Sequence, residues 1–506
     1  MNPTIFATAT EPSKSTIVLA FFAPEKTDSE EAGYRTPVYK GKSEKTISDL
    51  IKKLDATEHF FGKRGETTLL RFVPTLGYAN TIALGLGPSK AWGPDVARQA
   101  GASLYHIQKK ERLLTMAVAL DCILNDSHTD AETLQAFCEG YLLGSYEYTE
   151  LKKVDKHRFH PKGMHLVAPK GSDAKQAIDR SKVIADAVNF ARFLGDRPAN
   201  YMTPTEMGKQ VEKMSKTVGL KCTVWGRNQI EKEKMGLFLG VAAGSIEEPK
   251  LIQMEYQGGK KGDRPIVLIG KGVTFDSGGI SLKPAARMED MKYDMMGAAA
   301  VIGAMQAIAG LKPSVNVLGI VVATENLPDA KAQKPGDVAV SMSGKTVEII
   351  NTDAEGRLIL ADALEYAQKR EPQAMIDFAT LTGAVLDALG KVASGIMGNH
   401  MGLIDRIKHS AEATGERVWQ LPLFEEYMED LQSQVADIKN AGIREAGSSK
   451  GGTFLKFFVD SKYPWVHCDI AGTSYHRKDL SYHPSKFGSG VMVRLVAHMV
   501  ENWKPL

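Results

Sequence analysis

Hydrophobic and polar positions alternate along this chain in two rhythms. Short runs rich in β-branched residues recur at 16–22, 68–73, 81–86, 115–120 and 164–167. Between them, residues 46–54, 94–109 and 131–146 carry apolar side chains at helical spacing. That alternation predicts an α/β sandwich over the first third of the chain. A long charged stretch beginning at Ala174 predicts a connecting helix, which Asp196-Arg197-Pro198-Ala199-Asn200 brings to a stop. Beyond residue 205, strands are predicted at 250–256, 265–269, 315–323, 346–350, 375–379 and 465–470. Helical stretches fall between most of them, which points to a sheet covered on both faces. A chain of 506 residues is too long for one core. It reads as two α/β domains, 1–172 and 201–506, joined by a connecting segment at 173–200. The second is expected to be a mixed sheet flanked by helices on both faces.

Composition narrows the class without naming it. Apolar content of 43% and charged content of 24% suit an ordinary globular enzyme. A net charge of +3 makes no case for nucleic acid, and the Lys152-Lys153 patch reads as a solvated face. The four cysteines are scattered, with no CxxC pair, which fits buried thiols in a reducing compartment. The N-terminus lacks a basic n-region and its apolar run ends at Ala23-Pro24, so residues 16–22 read as a first strand rather than a signal peptide. No apolar run is expected to approach the roughly 18 residues of a membrane span. A cytoplasmic protein is the expectation.

Two stretches carry the candidate chemistry. In the first, Asn351-Thr352-Asp353-Ala354-Glu355-Gly356-Arg357-Leu358 follows the predicted strand 346–350 and opens a predicted helix running to 368. Two carboxylates and a guanidinium thus sit between a strand's carboxyl end and a helix's amino end, the crevice where α/β sheets bind ligands. Alone, the octapeptide could equally be a capped helix start with solvated acids. The second stretch, GKGVTFDSGGISLKP at 270–284, follows the apolar run 266–269 and brings Lys271, Asp276 and Lys283. Asp294 follows at the entrance of a small-residue helix predicted at 295–308. A third strand end, 380–383, adds Thr380 and Gly383. Gly447-Ser448-Ser449-Lys450-Gly451 imitates a nucleophile elbow, but polar residues precede it where a buried strand is needed. Gly344-Lys345-Thr346 lacks the first glycine of a P-loop, and Gly85-Leu86-Gly87 lacks the third glycine of a dinucleotide turn.

NTDAEGRL, with GKGVTFDSGGISLKP and MKYDMMGAAAV ahead of it, closely resembles the leucyl (cytosol) aminopeptidase family of dinuclear metallopeptidases. Arg192 to Asn200 resembles the family's entry to its peptidase domain, and the stretch around His467-Cys468-Asp469 resembles its W-x-H-x-D-I-A-G segment. The likeness is strong over roughly 190–506 and covers the N-terminal part only in general layout. It implies two divalent ions per subunit, manganese or zinc, with magnesium or cobalt possible. Asp276 and Glu355 are implied to bridge both ions, Asp353 to serve one, and Asp294 with Lys271 to complete the other. Lys283 is implied as an oxyanion stabiliser, and Arg357 as the holder of a bicarbonate that relays protons. The implied activity is release of N-terminal residues, leucine and other apolar ones preferentially, from peptides with a free N-terminus. Met291, Thr380, Leu381 and Gly383 are the expected substrate pocket. The family also implies a homohexamer, and some bacterial members bind DNA as regulators.

The chemistry of the residues is consistent with this. The set holds no histidine or cysteine, and no HExxH occurs. Crowded carboxylates raise one another's pKa values, and two cations about 3.5–4 Å apart relieve that repulsion. Such ions also lower the pKa of a bridging water, supplying a hydroxide nucleophile. Lysine ligates only as the neutral amine, although its free pKa is about 10.4. Burial and adjacent dications both depress that value. Without the resemblance, Lys271 reads as an ordinary lysine pairing with a carboxylate.

Overall fold

A computed structural model describes residues 3–8, 16–23, 60–73, 78–119, 131–153, 155, 157–167 and 173–506. The helix predicted at 46–54 and the last residue of the strand predicted at 115–120 lie outside the described residues. The chain divides into two compact units, Met1–Asp186 with Lys478–Pro484, and Ala187–Arg477 with Ser485–Leu506.

The first unit holds β1 (Thr4–Thr8), β2 (Thr16–Ala23), β3 (Thr67–Val73), β4 (Tyr78–Pro88), β5 (Thr115–Ala119) and β6 (Gly163–Val167). They form one sheet in the order β1-β6-β5-β2-β4-β3. All pairs are parallel except β3 with β4. Seven of the eight residues of β2 are buried, as expected of a central strand covered on both faces. The helices Pro94–Lys110 and Ala131–Gly144 pack together, and Tyr105 meets Tyr141 edge-on at 5.5 Å between ring centres. The buried Arg98–Glu139 pair, at 3.1 Å, joins the same two helices.

The second unit holds β7 (Lys221–Trp225), β8 (Lys250–Gln257), β9 (Ile266–Asp276), β10 (Asn316–Asn326), β11 (Val338–Val340), β12 (Thr346–Glu348), β13 (Ala374–Ala379), β14 (Ser394–Gly398), β15 (Val418–Gln420), β16 (Ile438–Lys439) and β17 (Trp465–Asp469). Eight of these build a mixed sheet in the order β15-β14-β17-β13-β9-β10-β8-β7. Its middle strands, β17, β13, β9 and β10, run parallel, so their carboxyl ends open on one edge. Helices cover both faces. The helix Met296–Leu311, made largely of small and apolar residues, lies on one side of β9. The helix Gly356–Gln368 packs Leu358 and Ile359 into the cluster of Val267, Ile269 and Val273 on the other. The two-sided burial of β9 explains its run of β-branched and small residues.

Three expectations need correction. The strand predicted at 265–269 runs on to Asp276, so Lys271 stands inside β9 rather than in a loop after it. The glycines at 270 and 272 sit against the helix Met296–Leu311 and against β10, where a side chain would collide with backbone. The strand predicted at 346–350 shrinks to β12 and belongs to a small separate sheet, β11-β12-β16, not to the central one. The stretch Met288–Leu311 does reach the length and hydropathy of a membrane span, but 78% of its most apolar window is buried within the protein. It is a core helix by that measure. The strands β7, β14 and β15 were not predicted; at five, five and three residues they are too short to show a clear alternation.

Candidate active site

β9 delivers the first acid and then turns sharply. Asp276 ends the strand, and Gly278 and Gly279 follow with φ of +88° and +67°. Gly278 is required twice over: its φ suits glycine, and a Cβ there would stand 2.4 Å from the Ser281 carbonyl oxygen. The turn lets Gly278 N–H donate to Asp276 Oδ1 at 2.9 Å, and Lys283 N–H donate to the Ser277 carbonyl at 2.9 Å. Lys283 is thereby folded back over the strand end. Asp294 comes from the 3₁₀ segment Met288–Met295, which leads into the helix Met296–Leu311.

The octapeptide is tied to this turn. Thr352 Oγ1 donates to the Gly278 carbonyl at 2.6 Å and accepts from Ser281 N–H at 2.8 Å. Asn351 Oδ1 accepts from Asp353 N–H at 2.9 Å, closing the short turn that presents Asp353. Glu355 stands at the N-cap of the helix Gly356–Gln368. Gly356 leaves room for Lys271, because a Cβ there would lie 2.6 Å from Lys271 Cε. Lys271 cannot swing aside cheaply, since its ammonium is held by three partners. Gly356→Ala is therefore expected to cost about 1–3 kcal/mol of stability through overpacking. It should also weaken divalent-ion binding, and denaturant unfolding beside metal titration checks both. Unchanged metal binding would mean that the lysine is not confined as described.

The charges interlock. Lys271 Nζ lies 2.8 Å from Asp294 Oδ1 and 2.8 Å from Glu355 Oε1, and donates to the Thr380 carbonyl at 2.9 Å. Lys283 Nζ lies 2.7 Å from Asp276 Oδ2 and 2.5 Å from Asp353 Oδ1. Burial opposes both ammonium charges, but the surrounding carboxylates outweigh it and hold both lysines above their ordinary pKa. Burial raises Asp276 to about 6, with Glu355 adding to the rise. Burial likewise raises Asp294 well above the usual carboxylate range. Glu355 goes the other way, because Lys271 and Lys283 overcome its burial. In this arrangement Lys271 is a paired ammonium, the reading its residue type alone favours. A neutral amine there requires cations that displace its proton.

The donor set suits such cations. Oxygens of Asp276, Asp353 and Glu355 lie within 4.8 Å of one another. Asp294 Oδ2 and Glu355 Oε2 are buried with no hydrogen-bond partner, as is Arg357 Nε. Buried carboxylate oxygens without a donor are costly unless a cation takes that place.

Ten of the predicted residues line one cavity of about 230 Å³: Lys271, Asp276, Lys283, Met291, Asp294, Asp353, Glu355, Thr380, Leu381 and Gly383. Arg357 is not in its wall; its Nη1 donates to the Asn440 carbonyl at 2.9 Å. Sequence reading missed Asp290, Tyr293, Leu386 and Tyr475, which also line the cavity. It also missed Asn326, whose Nδ2 donates to Asp276 Oδ1 at 2.8 Å and to the Thr352 carbonyl at 3.0 Å. A polar residue ending the long apolar run of β10 was the available signal. Asp469, at the end of β17, accepts from Leu381 N–H at 3.1 Å and Thr382 Oγ1 at 2.6 Å, and so shapes the 380–383 wall. His467 is buried and packs beside the site, with Nδ1 2.5 Å from Asp377 Oδ1. Ser449 lies inside the helix Gly447–Lys456, with Ala446 rather than a strand before it.

The chain is similar to known proteins in both sequence and fold. The sequence model described as "Cytosol aminopeptidase family, catalytic domain" matches residues 189–497, and that of the family's N-terminal domain matches 17–155. A probable cytosol aminopeptidase of Geotalea uraniireducens (strain Rf4) is 43% identical over 449 residues, 88% of this chain and 90% of that protein. One from Alkaliphilus metalliredigens (strain QYMF) is 42% identical, covering 90% of this chain and 92% of its own length. Among solved structures, a point mutant of tomato leucine aminopeptidase superposes with a TM-score of 0.86 at 32% identity, covering 99% of this chain and 96% of its own. The bottromycin maturation enzyme BotP in complex with Mn superposes at 0.82 with 28% identity, covering 97% and 99%.

Proposed function

This chain belongs to the cytosol aminopeptidase family and is a metal-dependent aminopeptidase, and from that premise we propose that it releases leucine and other apolar residues from peptides with a free N-terminus. The observation that carries the proposal is the cluster of Asp276, Asp353 and Glu355 with partnerless buried oxygens on Glu355 and Asp294. The apolar Met291, Leu381 and Leu386 beside it support a hydrophobic first subsite. Asp276 and Glu355 would hold both of two ions, Asp353 one, and Asp294 with Lys271 the other. The Mn named with BotP favours manganese, and an all-carboxylate set with one amine also admits zinc, magnesium or cobalt. When bound, the ions supply Lewis acidity that activates water for attack and holds the substrate's α-amine.

The chain's own residues do the rest. Lys283 keeps its charge and, with a fifth of its side chain exposed, can donate to the scissile carbonyl oxygen as negative charge develops there. Arg357 offers a planar fork and a partnerless Nε to a bicarbonate, which would carry protons where no side chain acts as general base. Leu381 and Thr382, fixed by Asp469, keep the pocket wall in place. The family resemblance supports a cytoplasmic homohexamer in which residues 1–172 are structural or regulatory and 201–506 form the peptidase domain. A net charge of +3 lends no support to a second role on DNA.

Substrate geometry is open to a direct test. A peptide beginning with leucine is expected to be cut and its N-acetylated form to resist, measured by product release from both. Equal cleavage would mean an endopeptidase cleft and would overturn the amine anchor.

A further inference from the structure

We propose that Asn440 is a positioning residue for the metal-binding octapeptide, tuning ion affinity without touching any of the carboxylates. This rests on the reading of Asp353 and Glu355 as metal ligands. Asn440 follows β16, the strand that pairs in parallel with β12 through Val347↔Ile438 and Glu348↔Lys439. One step further, Asn440 N–H still continues that ladder to the Glu348 carbonyl at 2.9 Å. There the octapeptide chain turns away toward the site, and the backbone ladder ends.

The fully buried Asn440 side chain takes over where the backbone stops. Its Oδ1 accepts from Ile350 N–H at 2.8 Å and Asn351 N–H at 3.2 Å. Its Nδ2 donates to the Asn351 carbonyl at 2.7 Å and reaches the Ala354 carbonyl at 3.5 Å. Its own carbonyl accepts from Arg357 Nη1 at 2.9 Å. One residue therefore meets backbone groups on both sides of Asp353 and the guanidinium just after Glu355.

Only an amide does this. The loop offers donors and acceptors within reach of a single side chain, so the partner must both accept and donate. An aspartate would face the Asn351 carbonyl with an acceptor, and an aliphatic residue would leave buried N–H and C=O groups unmet. The rest of the loop is held from the opposite side, by Thr352 on Gly278 and Ser281 and by Asn326 on the Thr352 carbonyl. Without Asn440 that backbone hold is one-sided, and the spacing of Asp353 and Glu355 that two ions require would rest mainly on their pairs with Lys283 and Lys271. Groups that orient ligands in this way change metal affinity or activity by about 10–100-fold when removed.

The test uses the full-length protein and Mn²⁺ alone as probe, in calorimetric titration of wild type, Asn440→Ala and Asn440→Asp. The expected result is a 10–100-fold weaker Mn²⁺ affinity for both variants, about the range for removing an outer partner of a ligand. Excess Mn²⁺ should recover part of the lost kcat on leucine amide while KM moves little. Asn440→Asp keeps the two accepted bonds and is the variant to read if Asn440→Ala does not fold. A fall in Tm with Mn²⁺ affinity and kcat unchanged would overturn the proposal and leave Asn440 a structural residue. Wild type that fails to bind Mn²⁺ would instead overturn the metal-site reading on which it rests.

Discussion

Stripping divalent ions from this protein is expected to abolish cleavage of leucine amide, and adding manganese or zinc to restore it. The physical reason lies in the balance of charge at the strand ends. Asp276, Asp294, Asp353 and Glu355 meet Lys271 and Lys283 in a site whose residues are mostly buried, leaving more negative than positive charge there. The lysines satisfy the cluster well enough for the chain to fold, so the stripped protein should keep its circular dichroism and cooperative unfolding. Turnover needs more than neutralisation: in the mechanism proposed above, water activation would fall to the ions. Loss of activity with the fold retained is thus the signature expected. Full activity after exhaustive chelation, verified by elemental analysis, would sink the metal-dependent mechanism.

The second large effect separates the two lysines. Lys271 has 3% of its side chain exposed and is pinned between Asp294, Glu355 and the Thr380 carbonyl. Lys283 is 20% exposed at the mouth of the same cluster, against Asp276 and Asp353. Lys271→Ala should lower occupancy of one ion, with part of the activity recovered in excess metal. Lys271→Arg should fail as well, because guanidinium does not shed its proton to ligate. Lys283→Ala should keep its metal and lower kcat by about 10²–10³, the range for losing one oxyanion donor. Metal analysis of the purified variants, set beside their kcat values, decides between these roles. Equal loss of metal from both, or from neither, would show the roles to be misassigned.

Much of this site is legible in the order of residues along the chain. The acids and lysines occupy two short stretches, Lys271–Lys283 and Asp353–Arg357, with Asp294 close after the first. Residue chemistry alone leaves the octapeptide open between a site and a capped helix start with solvated acids; the second stretch and the family resemblance together make the cluster legible. The α/β alternation is legible because periodicities of two and of about 3.6 leave separate marks on the pattern of apolar positions.

What the sequence determined by itself was therefore the local inventory: which elements form, which side chains carry charge, and the metallopeptidase family those residues resemble. Which distant groups complete the site depends on how the folded strands and loops pack. Asn326, Asn440 and Asp469 act across separations of 50, 89 and 88 residues on Asp276, Asn351 and Leu381. A hydrogen-bond partner needs only the right polar atom within about 3 Å. Such a partner leaves no periodic trace, because its position is set by how strands stack in the sheet. The same holds for the length of β9, where Gly270 and Gly272 give the clearance for the helix Met296–Leu311 and for β10 to lie close.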